Sequence, residues 1–160
     1  MGIATLGGLV IMHFLPAPSP INVCLKGHNL DPFNVHPRIQ IEVDGKDKLL
    51  PGNVGIEKKN GRECMHVIHT DEIGNVLHIQ FVRPIRLTLG DFMKIYSANN
   101  KTITVVDNST SSFTNQTLYL KDFNINYSYF SGNGFLPILN LTQSPPFTDN
   151  FVGKINLYSK

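Results

Sequence analysis

Apolar and polar positions alternate cleanly over Arg38–Val43. Ile39, Ile41 and Val43 fall on one side and Arg38, Gln40 and Glu42 on the other, the period of a half-buried strand. Asp44-Gly45 follows and predicts a hairpin into residues 46–50. Upstream, residues 21–26 have the composition of a first strand, and residues 27–37 that of a loop carrying His28 and His36. Downstream, residues 51–55 and 58–61 are turn-forming. Two apolar runs, 65–69 and 76–82, then flank the cluster 71–75, where Gly74-Asn75 suits a reversal with positive φ. With a loop over residues 72–75, His69 lies directly across from His78, and His66 points inward toward Phe81. A two-residue loop at Gly74-Asn75 pairs Asp71 with His78 instead. In either register His69, Asp71 and His78 share a face, with Leu77, Ile79 and Phe81 on the other.

Pro84 separates this hairpin from a strand over residues 85–87. Thr88 with Asp91 three residues on forms a capping-box pattern, and Leu89, Phe92, Met93 and Tyr96 share one helical face. Leu89–Tyr96 is therefore the only helix expected. Short β-type runs follow at 102–106, 117–123, 126–130 and 135–139, with a last strand at 151–158 after Pro145-Pro146. About nine or ten short strands with frequent turns argue for an all-β fold, a two-sheet antiparallel β-sandwich of the Ig or cupredoxin kind.

The two ends differ in texture from this middle. Residues 1–15 are an uncharged apolar run, and Pro16, Pro18 and Pro20 then extend the chain. The run is short for a membrane span and lacks the basic start of a secretory signal. It suits an extended arm that fills a groove in a neighbouring copy. The expected division is an apolar arm with a proline-rich linker over 1–20 and a single domain over 21–160, with membrane contact only if the arm is an uncleaved anchor. From Ser97 to Asn150 only Lys101, Asp107, Lys121, Asp122 and Asp149 are charged. Five Asn-x-Ser/Thr sequons fall in that half, at Asn100, Asn108, Asn115, Asn126 and Asn140, and predict an exported glycoprotein with N-linked glycans in place of surface charge. Cys24 and Cys64 fit an oxidising compartment as a disulfide, or stand as separate buried thiols. A net charge of +2 with no basic stripe offers nothing to nucleic acid.

His69, His78 and Asp71 on one face offer two imidazoles and a carboxylate, with His36 or His28 from a loop to complete a copper or zinc site. The alternative is a polar outer hairpin face. A blue-copper centre is excluded, because no Cys, His and Met cluster lies near the C-terminus. His66 suits a hydrogen-bonded core position. No catalytic residues are assigned: there is no nucleophile elbow and no phosphate loop, and Asp71-Glu72 sits in a turn.

Met65-His66-Val67-Ile68-His69-Thr70-Asp71, Leu77-His78-Ile79-Gln80 and Thr88-Leu89-Gly90-Asp91-Phe92 follow Pro51-Gly52-Asn53-Val54-Gly55-Ile56. Together they resemble a pattern in uncharacterised archaeal and bacterial exported proteins. There it runs roughly Ile-Pro-x-x-Ile-Gly-Ile, His-Pro-x-His-Thr-His-Asp, a turn, Ile-His-Val-Glu and Thr-Leu-Gly-x-Phe-Phe. The resemblance spans roughly residues 36–96 and implies histidine-based metal binding. This chain departs from it with Asp71 in place of the second His of His-Thr-His and Gln80 in place of the acid.

The function expected from these features is structural and non-enzymatic. The chain would be a glycosylated extracellular subunit of a cell-surface filament, pilus- or thread-like, assembled with copies of itself by donor-strand complementation through the arm, with no cofactor. The alternative is an exported cupredoxin-like protein that binds copper or zinc.

Overall fold

The computed structural model of the chain describes residues 19–27, 31–109 and 112–160. The apolar arm expected over residues 1–15 lies outside them, as do His28 and Thr110. Twelve strands run through the described residues: Phe33–Val35 (β1), Arg38–Val43 (β2), Lys46–Lys48 (β3), Ile56–Lys59 (β4), Arg62–Met65 (β5), Ile68–His69 (β6), His78–Phe81 (β7), Thr102–Asp107 (β8), Thr114–Tyr119 (β9), Phe123–Phe130 (β10), Phe135–Pro137 (β11) and Val152–Ser159 (β12). The helix Leu89–Tyr96 (α1) falls between β7 and β8. The fold is all-β and sandwich-like.

Two sheets carry most of it. One has the order β11-β10-β12-β2-β3, the other β1-β7-β6, and β4-β5 and β8-β9 are two-stranded. Pairing is antiparallel except where β12 runs parallel to β2, from Val152 opposite Arg38 to Leu157 opposite Val43. This departs from an all-antiparallel sandwich, and strand alternation could not foretell it, because side-chain parity is the same in either direction. The alternation at Arg38–Val43 does what it predicts. Ile39, Ile41 and Val43 join Ile155 and Leu157 in a core that also contains Leu77, Ile79, Leu89 and Phe92. Burying each such side chain contributes about 1.5–3 kcal/mol.

Several expected elements take other forms. Residues 21–26 are no strand: Pro20–Asn22 is a turn of 3-10 helix and Cys24 makes a single bridge to His66. The loop expected over 27–37 contains β1, recruited by pairing with β7 although Asn34 interrupts its apolar pattern. The turn expected at 58–61 is the tip of a β4-β5 hairpin, with Asn60 and Gly61 at φ 52° and 76°. Residues 85–87 pair with no strand; Leu87 instead accepts a hydrogen bond from Phe147 N–H at 2.8 Å.

The helix is as expected. Thr88 N–H donates to Asp91 Oδ2 at 3.1 Å, and Leu89, Phe92, Met93 and Tyr96 are buried. Gly90 sits where a Cβ would come within 2.9 Å of Leu141 O, so the Thr-Leu-Gly sequence lets the helix lie close against the 3-10 turn Leu141–Gln143. The Tyr96 hydroxyl donates to Thr104 O at 2.7 Å, and its burial raises the phenol above its ordinary range. Cys24 and Cys64 form a disulfide. Closing that loop of 40 residues contributes about 4 kcal/mol in the chain-entropy treatment.

One ion pair joins the five-stranded sheet to the β8-β9 hairpin. Lys48 Nζ donates to Asp107 Oδ2 at 2.6 Å, and Lys48 is itself buried. The Lys48 ammonium, then the Ser109 N–H, hold the Asp107 carboxyl well below the usual carboxylate range. A lowered folded-state value contributes stability that is present above the unfolded value and lost as pH falls. We expect acid destabilisation below about pH 4 to be shallower in Asp107→Asn than in the parent, measured as unfolding midpoint against pH. Parallel curves would exclude the ion pair as a source of acid sensitivity.

Candidate metal centre

The three strands β1, β7 and β6 place three histidines in a row. His69 is the direct cross-strand partner of His78, the pairing expected for a loop over residues 72–75. Val35 pairs with Ile79, so His36, one residue on, comes level with His78. The rings confirm it: His36 and His78 meet edge to face with centroids 4.9 Å apart, and His69 and His78 stack at 5.7 Å.

Asp71 closes the group. Its Oδ1 lies 3.5 Å from His69 Nε2 and its Oδ2 lies 3.5 Å from His78 Nε2. These are long for imidazole–carboxylate hydrogen bonds, which run about 2.7–3.0 Å. Each contact alone is close to the spacing of two ligands on one tetrahedral ion, but the donor atoms of His69, Asp71 and His78 are not a set lying within 4.8 Å of one another, so binding one ion requires the side chains to draw together. The two contacts use different oxygens, so a shared ion would be held by the carboxylate in a bidentate or bridging manner.

Tautomer and burial favour ligation as well. His69 Nδ1 lies 2.9 Å from His66 O. A carbonyl only accepts, so Nδ1 carries the hydrogen, and in the neutral ring Nε2 then has the lone pair on the Asp71 side. This is how a carbonyl commonly orients a ligating histidine. His69 is fully buried and the His78 side chain 21% exposed. The hairpin face that alternation allowed to be a solvated outer surface is covered in part: His69 and Gln80 on it are buried, His78 is half-buried and Asp71 is exposed. His78 Nδ1 is buried without a hydrogen-bond partner among the described residues. At the open end His36 N–H donates to Asp149 Oδ1 at 2.7 Å, and His36 Nδ1 lies 3.6 Å from the same oxygen. Asp71 and Asp149 bring negative charge, as a divalent cation requires.

The cradle comes from the segment upstream. At Gly55, φ 72°, a Cβ would collide with the Ile68 carbonyl oxygen and come within 3.1 Å of His69 Cα, so no side chain is accommodated there. Thr70 N–H donates to Val54 O and Val54 N–H to Thr70 Oγ1, each at 3.0 Å, while the Thr70 hydroxyl donates to Pro51 O. The Pro-Gly-Asn-Val-Gly stretch thus holds β6 from behind. On the other side Leu77 N–H donates to Pro37 O and Ile39 N–H to Asn75 O. Gly74 and Asn75 do not take positive φ; Gly74 instead exchanges backbone hydrogen bonds with Leu50.

The expected ligands His36, His69, Asp71 and His78 are brought together. His28, the other loop histidine considered, lies outside the described residues. Asp71 is exposed at a bend, as the sequence suggested, and its carboxylate reaches back to both imidazoles. Asp149 was not anticipated, because nothing in the local sequence ties it to His36; the link comes through Arg38 N–H, which donates to Phe151 O at 2.9 Å. A second set, Glu57, Cys64 and His66, has donor atoms within 4.8 Å of one another, but the Cys64 sulfur is committed to the disulfide. His66 is bound as a core histidine, with Nδ1 2.8 Å from Ile21 O and Nε2 2.8 Å from Glu57 Oε1. Lys59, then His66, hold the Glu57 carboxyl below its ordinary value.

The sequon residues Asn100, Asn108, Asn115, Asn126 and Asn140 are all exposed. No helix among the described residues is long and apolar enough to cross a membrane. No family model, curated protein or solved structure matches the chain, so the functional reading rests on the donors and their cradle. Thr70→Val removes both hydroxyl hydrogen bonds that pin β6 to residues 51–54. We expect a loss of about 1–3 kcal/mol in urea unfolding; a change under about 0.5 kcal/mol would show that the cradle does not depend on Thr70.

Proposed function

We propose that this protein is an exported, non-enzymatic β-sandwich that binds one copper or zinc ion through His69, His78 and Asp71, with His36 as the ligand nearest solvent. The observation that carries this is the fully buried His69, whose lone-pair nitrogen is set by the His66 carbonyl and lies 3.5 Å from Asp71. Imidazole and carboxylate suit zinc or copper(II), and the absence of a thiolate or thioether set disfavours copper(I). The Cys24–Cys64 disulfide accords with an oxidising compartment. An ion held this way is suited to uptake, storage or structural reinforcement.

Titration with zinc or copper(II), followed by elemental analysis, tests the reading. One ion per chain is expected, with affinity reduced at least about 100-fold in His69→Ala and His78→Ala. Zinc and copper contents that remain far below one per chain in the parent end the proposal.

Filament assembly by arm donation is a second proposal, and one described feature favours it. β9 pairs with β8 alone among the described strands. Leu120 N–H bonds Lys101 O, so in this register the backbone groups of Asn115, Thr117 and Tyr119 turn outward. That edge has no proline and no charge to block an added strand. Deleting residues 1–20 should abolish assemblies seen by electron microscopy; unchanged assemblies would discard arm donation.

A further inference from the structure

The outer face of the five-stranded sheet carries a groove of about 870 Å³ lined by Asn126, Phe135, Leu139, Asn140 and Asn156 among others. Its apolar wall is open to solvent: Phe135 is 40% exposed and Leu139 95%. Its floor is amide. Asn126 on β10 and Asn156 on β12 are direct cross-strand partners. Asn156 Oδ1 is shut off from solvent and has no hydrogen-bond partner among the described residues. The asparagine floor suits a ligand that brings hydroxyl groups, and the adjoining wall calls for an apolar surface on the same ligand. A sugar ring has both.

Two sequons open into this groove. Asn126 projects from the middle of β10 and is exposed. Asn140 stands on the opposite wall, where its Oδ1 accepts from Thr142 N–H at 3.0 Å and from Thr142 Oγ1 at 2.8 Å. Those bonds engage the carbonyl oxygen and the sequon hydroxyl and leave Nδ2 outside them. Asn100, Asn108 and Asn115 do not line the groove. An extended peptide pairing with β11 is the poorer occupant. Ile138 N–H donates inward to Tyr127 O, so the nitrogen of Pro137 faces outward and has no hydrogen to offer.

We propose that N-linked glycans on Asn126 and Asn140 are the occupants of this groove. The first sugar on Asn126 lays its apolar face along Phe135 and Leu139, with its hydroxyls over the Asn126–Asn156 amide floor. Attachment requires a lipid-linked oligosaccharide as donor. Asn Nδ2 attacks the anomeric carbon, a C–N bond forms, and the bond from that carbon to the carrier phosphate oxygen breaks. The carrier leaves with the electron pair, and the amide proton passes to a base of the transferase.

The full chain secreted from an N-glycosylating host tests this by glycopeptide mass spectrometry and by fluorescence of a dye that binds apolar surface. Sugar is expected on Asn126 and Asn140. The double variant Asn126→Gln with Asn140→Gln should bind several-fold more dye, whereas Asn100→Gln with Asn115→Gln should not. Ser128→Ala with Thr142→Ala removes the same two sequons while keeping both asparagines and should behave as the first double variant, which separates loss of sugar from damage to the fold. Unmodified Asn126 and Asn140 in the secreted protein, or dye binding equal to the parent in both groove variants, overturns the proposal.

Discussion

The corner at Pro37 joins the two main sheets, and the rest of the arrangement depends on it. The chain leaves β1 in the small sheet and enters β2 in the large one across the two residues His36 and Pro37. A strand that changes sheets must satisfy backbone groups in two directions. Here Leu77 N–H donates to Pro37 O, Ile39 N–H to Asn75 O and Arg38 N–H to Phe151 O, while His36 N–H finds the Asp149 carboxylate. Proline suits the place because its one missing donor is one fewer to satisfy. The same corner fixes where His36 sits and starts the parallel pairing of β2 with β12.

From that corner the histidine row follows. His36 comes level with His78, and the short β6 brings His69 alongside. Burial of His69 beside a carboxylate is a costly arrangement for a merely structural surface. The cost is offset when the imidazole lone pair and the carboxylate meet a cation. Gly55 and Thr70 hold the strand from behind at His69, the one fully buried member of the proposed site, while His36 and Asp149 lie toward solvent.

Much of this was legible in the chain itself. Period-2 alternation located β2, the capping pair located α1, and parity placed His69, Asp71 and His78 together whichever loop was chosen. What escaped was set by contacts distant in sequence. β1 is three residues long and is a strand only because β7 recruits it, and Asp149 reaches His36 only through the sheet corner. The depth of His69 also escaped, because alternation says which residues share a face and not what covers that face. The strands on either side of Asn60-Gly61 escape the pattern because they are short and polar and carry little apolar signal. The disulfide was open from spacing and is settled by geometry.

The central claim is that His69, His78 and Asp71 form one metal centre. X-ray absorption spectroscopy on the zinc- or copper-loaded chain tests it most directly. The account predicts an ion with two or three imidazole nitrogens at about 2.0–2.1 Å, oxygen completing the shell and no sulfur. In His69→Ala the imidazole signal should fall. A spectrum of oxygen ligands alone, or one unchanged by His69→Ala, would contradict the claim.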